Sequence, residues 1–374
     1  MLVIATTVLL VGGLVGAAGA AAEKIDLCHL PGTPDETTLN VSQNAVGAHI
    51  AHGDTLGSCD DLPEPPPPPI LTEVLARGDV QCGVSGNIPG FSLHDVGPDT
   101  WEGLDVDLCR AVAAAVFGDE EAVEFVAVSS AERFSAVRDG VVDVLFRTTT
   151  DTLRRDATEG NGGEGVNFGP TYFYDGDSFL SHDPIQDFLG LEGLTICVMA
   201  TTSTASNLDD LLSQEGIEAF LSQYDTFSEA VVAFAATECD ALAGNQSGLV
   251  ATKASSQPND WEIFDGTFSK GPLAPVVREG DDEWMAVVRW VVFATIEAEE
   301  RGVSQSNVGA SSFGTDTAPL GALLGLGEDW AFDIVDRVGN YADVFDRNLA
   351  PLGLPRGDNA THLDGGLLIA SLLG

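Results

Sequence analysis

Residues 123–156, VEFVAVSSAERFSAVRDGVVDVLFRTTTDTLRRD, contain the order of elements that decides the fold. VEFVAV is a short apolar run typical of a buried strand. The next segment predicts a helix that Ser130 caps and Gly140 ends, and VDVLF then predicts a second strand. The same alternation recurs on either side, in residues 79–118 and 194–245. Strands that alternate with helices predict an α/β fold with parallel sheets.

The end of this stretch, RTTTDTLRRD at residues 147–156, gathers three arginines and four threonines in a chain with 16 Lys+Arg and 58 Asp+Glu. A guanidinium group matches a carboxylate in shape, and hydroxyl and loop N–H groups can complete an anion site. The cluster follows a strand, and open α/β sheets bind ligands at the carboxyl ends of their strands. On residue type alone, pairing of Arg154 and Arg155 with surface acids is an equally good interpretation.

The formal net charge of −42 indicates a chain that repels nucleic acid and anionic membrane surfaces. The acidic residues are spread along the chain rather than collected in one tail, which is typical of proteins that stay soluble in high salt. An ordinary extracellular protein of low isoelectric point is the alternative.

Residues 1–22 predict a signal peptide, because they form an uncharged apolar run that ends in small residues. Ala20-Ala21-Ala22 fits an A-x-A cleavage site, although the positively charged start of such peptides is missing. Either the true start differs or the signal peptide is unusual. No later stretch approaches about 18 uncharged apolar residues, so we expect no membrane span. The expected location is periplasmic or secreted.

Export favours disulfides for the six cysteines. Pairing within structural units favours three bridges, while reduced core cysteines are the alternative. The expected pairs are Cys28–Cys59, Cys82–Cys109 and Cys197–Cys239.

Residues 63–70, PEPPPPPI, predict a stiff extended linker between a small module at 23–62 and a large domain. The module contains three histidines between two cysteines: His29, His49, His52, Cys28 and Cys59. These side chains could complete a tetrahedral zinc site, but their spacing does not match a C-x-x-C ligand pair. We therefore expect one disulfide here, with no metal and no cofactor.

Five stretches of the large domain carry a family resemblance: GLDVDLCRAVAAAVFG, ERFSAVRDGVVDVLFRTTTDTLRRD, FYDGDSFL, CDALAGNQSGL and VGNYADVFDRNL. In this order they resemble the polar amino-acid solute-binding proteins of ABC importers, and most closely the general L-amino-acid branch. The resemblance implies a two-lobed, type II periplasmic-binding-protein-like fold, with a mostly parallel sheet flanked by helices in each lobe. It implies that residues 71–172 and 270–374 form lobe 1 and residues 173–269 form lobe 2.

The resemblance also implies the ligand site. Arg155 matches the family arginine that binds the α-carboxylate of an amino acid. Hydroxyl residues at four matching positions share that carboxylate: Thr148, Thr150, Thr202 and Ser203. In binders of acidic amino acids, the residues that match Ser130 and Arg133 hold a side-chain carboxylate.

Three positions depart from the family pattern. Asn245 stands where the family usually has an Asp that pairs with the ligand ammonium group, and a buried ammonium without a counter-ion is costly. Affinity is then weaker, or a nearby acid substitutes, or the ligand is not a standard α-amino acid. Thr201 replaces the glycine of a G-T-T loop. Ile88 replaces an aromatic residue, with Phe91 close by. Trp101 could belong to the pocket or to the core, and we expect the core.

We therefore expect a monomeric binder of an amino acid or related small carboxylate, which it delivers to the membrane subunits of an ABC importer. G-x-S-x-G, H-E-x-x-H and P-loop motifs are missing from the sequence, which argues against a hydrolase. A dehydratase of the same fold is one alternative, but it needs a glutamate in the pocket, and Glu132 is expected to face outward. An extracellular sensory or surface protein that works through its N-terminal module is another.

Overall fold

A computed structural model describes residues 24–31, 33–61, 68–158, 160, 162–256 and 260–373. The predicted signal peptide at 1–22 and linker residues 63–67 lie outside the described residues. The chain divides into two compact units, Met1–Pro67 and Pro68–Gly374. Within the described ranges, no helix is long and apolar enough to cross a membrane.

The small unit is a three-stranded antiparallel sheet with one helix. Its elements are β1 (Lys24–His29), β2 (Thr37–Ser42), α1 (Gln43–Ala51), β3 (Thr55–Leu56) and a 3-10 turn (Cys59–Asp61). Strand β1 lies between the other two strands. The Cys28–Cys59 disulfide joins β1 to the 3-10 turn, so this unit has a covalent link across its small core.

The large unit contains fifteen strands within the described residues. They are β4 (Val80–Val84), β5 (Asn87–Ile88), β6 (Ser92–Asp95), β7 (Thr100–Glu102), β8 (Val123–Ala127), β9 (Val144–Leu145), β10 (Val166–Phe168), β11 (Phe173–Asp175), β12 (Asp177–Ser181), β13 (Thr195–Met199), β14 (Phe220–Tyr224), β15 (Ala241–Asn245), β16 (Glu262–Ile263), β17 (Gly271–Leu273) and β18 (Val276–Arg278).

Its α-helices are α2 (Ile70–Arg77), α3 (Leu104–Phe117), α4 (Arg133–Arg138), α5 (Leu153–Asp156), α6 (Ser203–Glu215), α7 (Phe227–Ala235), α8 (Gln246–Ser255), α9 (Asp282–Glu300), α10 (Phe313–Gly321), α11 (Trp330–Asp333) and α12 (Tyr341–Asn348). A π-helical turn covers Ile334–Val338. Short 3-10 turns cover Phe188–Leu191, Val308–Ala310, Ala322–Leu324, Ala350–Leu352, Gly357–Asn359 and His362–Asp364.

Two five-stranded sheets organise the large unit, with orders β10-β18-β9-β4-β8 and β14-β13-β15-β12-β16. The α/β class predicted from the sequence is confirmed, but each sheet is mixed rather than mostly parallel. Strands β9, β4 and β8 run parallel, as do β14, β13 and β15, whereas β18 and β12 are antiparallel to their neighbours. The reason is the connection: β12 and β18 enter their sheets without a preceding crossover helix, and that helix is what makes successive strands parallel.

The chain passes between the two sheets twice, at neighbouring positions. Strand β11 leads out of the first sheet and β17 leads back, and these two strands pair with each other antiparallel. The side chain of Asn359 accepts from the Tyr174 amide at 2.6 Å and donates to the Tyr174 carbonyl at 2.9 Å. The two connections therefore form one ribbon that the C-terminal segment supports.

Helices α3 and α9 form much of the core that covers the first sheet. Gly103 precedes α3 with a φ of 131°, and a Cβ there would lie 2.1 Å from the Phe91 carbonyl oxygen. Only glycine fits this close approach. The Cys82–Cys109 disulfide ties β4 to α3, and Cys197–Cys239 ties β13 to the segment before β15. The cysteines thus pair as expected from the sequence.

The predicted cap of α4 is wrong. The helix begins after Glu132, whose N–H donates to the Ser129 hydroxyl, so Ser129 rather than Ser130 satisfies the helix start. Ser130 is buried and its hydroxyl bonds elsewhere. Glu132 is exposed, as predicted.

Candidate functional site

A cleft lies between the loops of the two sheets. Its lining consists of Ile88, Phe91, Arg133, Arg147, Thr148, Thr149, Thr150, Arg155, Met199, Thr202, Ser203, Thr204, Phe227, Ala243, Gly244, Asn245, Ser247 and Gly248. Seven of the eight sequence-predicted ligand residues are in this set. The eighth, Ser130, lines an adjoining outer depression together with Arg133 and Arg155.

The loop after β9 supplies the arginines and threonines quoted at the outset. Helix α5 begins after Thr152, whose hydroxyl accepts from the Arg155 N–H. This short turn directs the Arg155 guanidinium back over its own loop, where Nη1 donates to the Thr150 carbonyl at 2.7 Å. The neighbouring Arg154 is exposed and lines only the outer depression. The turn thus separates the two adjacent arginines.

The start of α6 supplies the opposite wall. Thr202 caps the helix by accepting from the Ala205 N–H, which places Ser203 at the helix N-terminus. Thr201 has a φ of 57°, in the left-handed region that favours glycine. The position where the family pattern has glycine is therefore one where this chain holds threonine in a strained conformation.

Hydrogen bonds join the two walls. The Ser203 hydroxyl donates to the Thr150 hydroxyl at 3.2 Å, and the Ser130 hydroxyl donates to the Ala200 carbonyl at 3.0 Å. Arg133 Nη2 donates to the Thr201 carbonyl at 3.2 Å. The cleft is therefore in a closed arrangement.

The cleft lining has three guanidinium groups and no carboxylate among the described residues. Arg133, Arg147 and Arg155 bond to backbone carbonyls, and none forms an ion pair with any described carboxylate. Arg133 is 3% exposed, and its Nε has no hydrogen-bond partner. Three cations near one another, one of them with a free buried donor, favour an anion in the cleft.

Burial controls the electrostatics of these groups. Burial, with repulsion from Arg155 and Arg147, lowers the pKa of Arg133 to about 8. Burial also lowers the pKa of Arg147 to about 10 and that of Arg155 below its ordinary value. A bound anion would supply the counter-charge that the described lining lacks.

Asp105 supports the loop from below. Its carboxylate accepts from the Tyr172 hydroxyl at 2.6 Å and the Thr148 N–H at 3.0 Å. Thr148 has a φ of 42°, and this bond holds its backbone in that unusual conformation. Because burial outweighs these bonds, the pKa of Asp105 is raised to about 7.

This raised pKa predicts a pH dependence of stability. The folded protein binds the Asp105 proton between the ordinary aspartate pKa of about 3.9 and pH 7, where the unfolded chain releases it. The free energy of unfolding should therefore fall as pH rises through that window. Denaturant unfolding at several pH values, at one salt concentration, measures it. Asp105→Asn should flatten this decline, and an unchanged slope in that variant would contradict the assignment.

Asn245 ends β15 and lies in the cleft wall as the sequence suggests. Its cross-strand neighbour Asp177 is buried and accepts from Thr204 and Ser269, both at 2.5 Å. Asp175 accepts from the Ser247 hydroxyl and N–H. Neither carboxylate belongs to the cleft lining. An acid that replaces the missing family aspartate is thus not found among the described lining residues.

The sequence predicts only some of the apolar residues that line the cleft. Ile88 and Phe91 line it, and Met199 and Phe227 add to them from the second sheet and α7. Trp101 stacks on the His94 ring, with centroids 4.0 Å apart, away from the cleft lining.

Arg147 also lines the cleft, although the sequence-predicted site omits it. Its position in the arginine-threonine stretch was the available signal. It is 5% exposed and its Nε donates to the Val128 carbonyl at 2.8 Å.

Comparisons with known proteins agree with this architecture. The family model described as bacterial extracellular solute-binding proteins, family 3, matches residues 80–301. The putative amino-acid ABC transporter-binding protein YhdW of Escherichia coli K12 is 39% identical over 316 residues, which cover 80% of this chain and 91% of that protein. The general L-amino acid-binding periplasmic protein AapJ of Rhizobium johnstonii is 37% identical over 317 residues, with coverage of 80% and 91%.

A solved structure extends the similarity to three dimensions. It is an ABC transporter / periplasmic binding protein from Brucella ovis with glutathione bound. It is 36% identical, with a TM-score of 0.77, and the match covers 81% of this chain and 99% of that one. The matched relatives are binding proteins.

Proposed function

The chain belongs to the bacterial extracellular solute-binding proteins of family 3, and from this premise we propose that it binds an amino acid or small dicarboxylate and delivers it to an ABC importer. The names of its relatives support this function: YhdW is called a putative amino-acid ABC transporter-binding protein and AapJ a general L-amino acid-binding protein. The membrane subunits of the importer are the proposed partners, and the proposed binding form is a monomer.

The positive charge of the cleft lining is the basis for the proposed class of ligand. Three arginines without a carboxylate in the described lining favour a ligand with two anionic groups. In the proposed complex, Arg155 binds one carboxylate with hydroxyls from Thr148, Thr150, Thr202 and Ser203. Arg133 binds the second through its free Nε, near Ser130. Acidic amino acids and dicarboxylates meet this requirement. A relative from Rhodobacter capsulatus is called a glutamate/glutamine/aspartate/asparagine-binding protein and is 34% identical.

We propose that closure takes place about the paired connections β11 and β17. Residues 71–172 and 270–374 would then move as one lobe and residues 173–269 as the other. Hinge motion about a few connecting residues is a common way to enclose small ligands. The wall-to-wall bonds of Ser203 and Ser130 would break on opening.

Binding rather than catalysis is the proposed role. A dehydratase of this fold needs an acid or base in contact with the substrate. The described lining offers no glutamate or aspartate, and Glu132 is exposed outside the cleft. The similarity to an ancestral amino acid-binding protein, a precursor of cyclohexadienyl dehydratase, is 23% identity and concerns the fold alone.

The residue at position 245 gives a test of the ligand class. Asn245→Asp adds a negative charge where the family pairs an ammonium group. We expect it to tighten binding of an acidic amino acid by about 1.5 kcal/mol, roughly tenfold. It should weaken binding of a dicarboxylate without an amino group, because the new carboxylate repels that ligand. Calorimetry with glutamate and with glutarate compares the two; equal changes for both ligands would contradict this role.

A thermal-shift screen tests the function as a whole. The protein is unfolded and refolded to remove any co-purified ligand, then mixed with single amino acids, dicarboxylates and glutathione at fixed salt. A ligand at 100 times its Kd stabilises the folded state by about 2.7 kcal/mol. We expect acidic ligands to give the largest shifts and Arg155→Ala to remove them. No shift from any of these compounds, in a correctly refolded protein, would overturn the proposal.

A further inference from the structure

Two histidines and an aspartate meet in the small N-terminal unit. His29 ends β1 and Asp54 immediately precedes β3, and the pairing of Cys28 with Thr55 places these two residues opposite each other. His49 lies in the last turn of α1, where its carbonyl accepts from the Asp54 N–H at 3.2 Å. Two strands and a helix therefore direct these three side chains to one point.

The donor atoms of this cluster are close together. His29 Nδ1 lies 2.9 Å from each Asp54 oxygen, and His49 Nδ1 lies 2.7 Å from Oδ2. One ligand atom from each residue lies within 4.8 Å of the other two. The Asp54 side chain is 1% exposed, whereas the His29 and His49 side chains are 31% and 22% exposed. The carboxylate is thus buried while both imidazoles remain accessible to solvent.

We infer that His29, His49 and Asp54 bind one divalent transition-metal ion of the zinc class, with water in the remaining coordination positions. Imidazole nitrogen and carboxylate oxygen are ligands that zinc and its neighbours accept, at about 2.0–2.2 Å. Tetrahedral bonds of that length separate the ligand atoms by roughly 3.3 Å, so the present contacts need to open by about half an ångström. The Nδ1 protons move to Nε2, or leave if the rings are protonated.

The disulfide rules out a thiolate site and gives the cluster a frame. Cys28, the neighbour of His29, is bonded to Cys59, so neither sulfur is a metal ligand. The zinc site considered from the sequence, and set aside, included these two cysteines. The site inferred here has only nitrogen and oxygen ligands. Because β1 is joined covalently to the end of the unit, the three ligands are held together before metal arrives.

Equilibrium dialysis of the full exported chain, prepared without a histidine tag and treated with a chelator, tests this site. The acidic surface would also collect cations, so the buffer contains millimolar Mg²⁺, which occupies oxygen-only sites and competes poorly for imidazole. We expect one Zn²⁺ per chain. A Co²⁺ derivative should show the visible bands of a low-coordinate nitrogen and oxygen site, without a thiolate charge-transfer band.

Two glutamine variants make the test specific. In His29→Gln and His49→Gln the amide can still donate to Asp54, so the fold is kept while the imidazole ligand is lost. Each should weaken Zn²⁺ binding by at least about tenfold. His94→Gln is the matched control, because His94 also pairs with an acid, Asp99, at 2.8 Å. Zinc bound equally by all three variants, or no stoichiometric zinc in the parent protein, would overturn the site.

Discussion

Replacing Arg155 with alanine is expected to reduce ligand binding below the range of most assays. If this guanidinium binds the ligand carboxylate in the closed cleft, its removal leaves a buried anion without its main partner. Breaking such a pair costs about 3–5 kcal/mol, which is a factor of roughly 150 to several thousand in Kd. Thr150 and Ser203 remain, but hydroxyl groups carry no charge to replace the one that is lost.

Two further variants separate geometry from charge. Arg155→Lys keeps the charge but not the planar pair of donors, so it should also lose most of the affinity. Arg154→Ala should bind normally, because Arg154 is exposed and the α5 turn directs only Arg155 into the cleft. Calorimetry on the three proteins decides the matter. Unchanged affinity in Arg155→Ala would remove the central element of the proposed site.

Arg133→Gln should have opposite effects on stability and on binding. Arg133 is buried, has no described carboxylate partner and carries an unbonded Nε. Its replacement removes an unpaired charge, so the ligand-free protein should become more stable. Binding of a ligand with two carboxylates should weaken by about 3 kcal/mol, more than a hundredfold, because the second carboxylate loses its partner.

Glutamate and glutamine are suitable probes for Arg133, since they differ only at the distal group. We expect the variant to lose affinity for glutamate and to lose much less for glutamine. Arg138→Gln is the matched control on the same helix, because Arg138 bonds at the surface to Glu164. Calorimetry gives the affinities and denaturant unfolding gives the stability. A variant that loses both ligands equally would assign Arg133 to general packing.

The sequence predicts this fold well where local patterns carry the information. Helix α3 ends at Phe117, and the Gly118 that follows it has the left-handed conformation, as a terminal glycine indicates. The strands and helices predicted in residues 79–118 and 194–245 are present as β4, α3, β13, α6, α7 and β15, since apolar periodicity and punctuation are local. The short strands β5, β6 and β7 and the strand β14 were not predicted. The arginine-threonine stretch lies in a cleft for the same reason, because strand ends mark ligand sites in α/β folds.

The features that the sequence did not predict depend on contacts between distant segments. Ser130 resembles a cap in the sequence, but its hydroxyl donates to the distant Ala200 carbonyl, and the Glu132 N–H before the helix donates to Ser129 instead. The antiparallel direction of β12 and β18 results from the two crossings of the chain between the sheets. No local sequence pattern indicates these crossings. The His29–Asp54 contact depends likewise on a strand register set by tertiary pairing.

The unpaired arginines of the cleft also affect when the protein would dock on the importer. Closing the cleft without ligand would remove water from three guanidinium groups and give them no anion in exchange. The ligand-free closed form is therefore higher in free energy than the open form. A ligand with two carboxylates shifts the equilibrium toward the closed form, because it binds the closed form more tightly than the open one. The importer would then encounter the closed form almost only when ligand is bound. Docking of the ligand-free protein would be suppressed without any separate sensor.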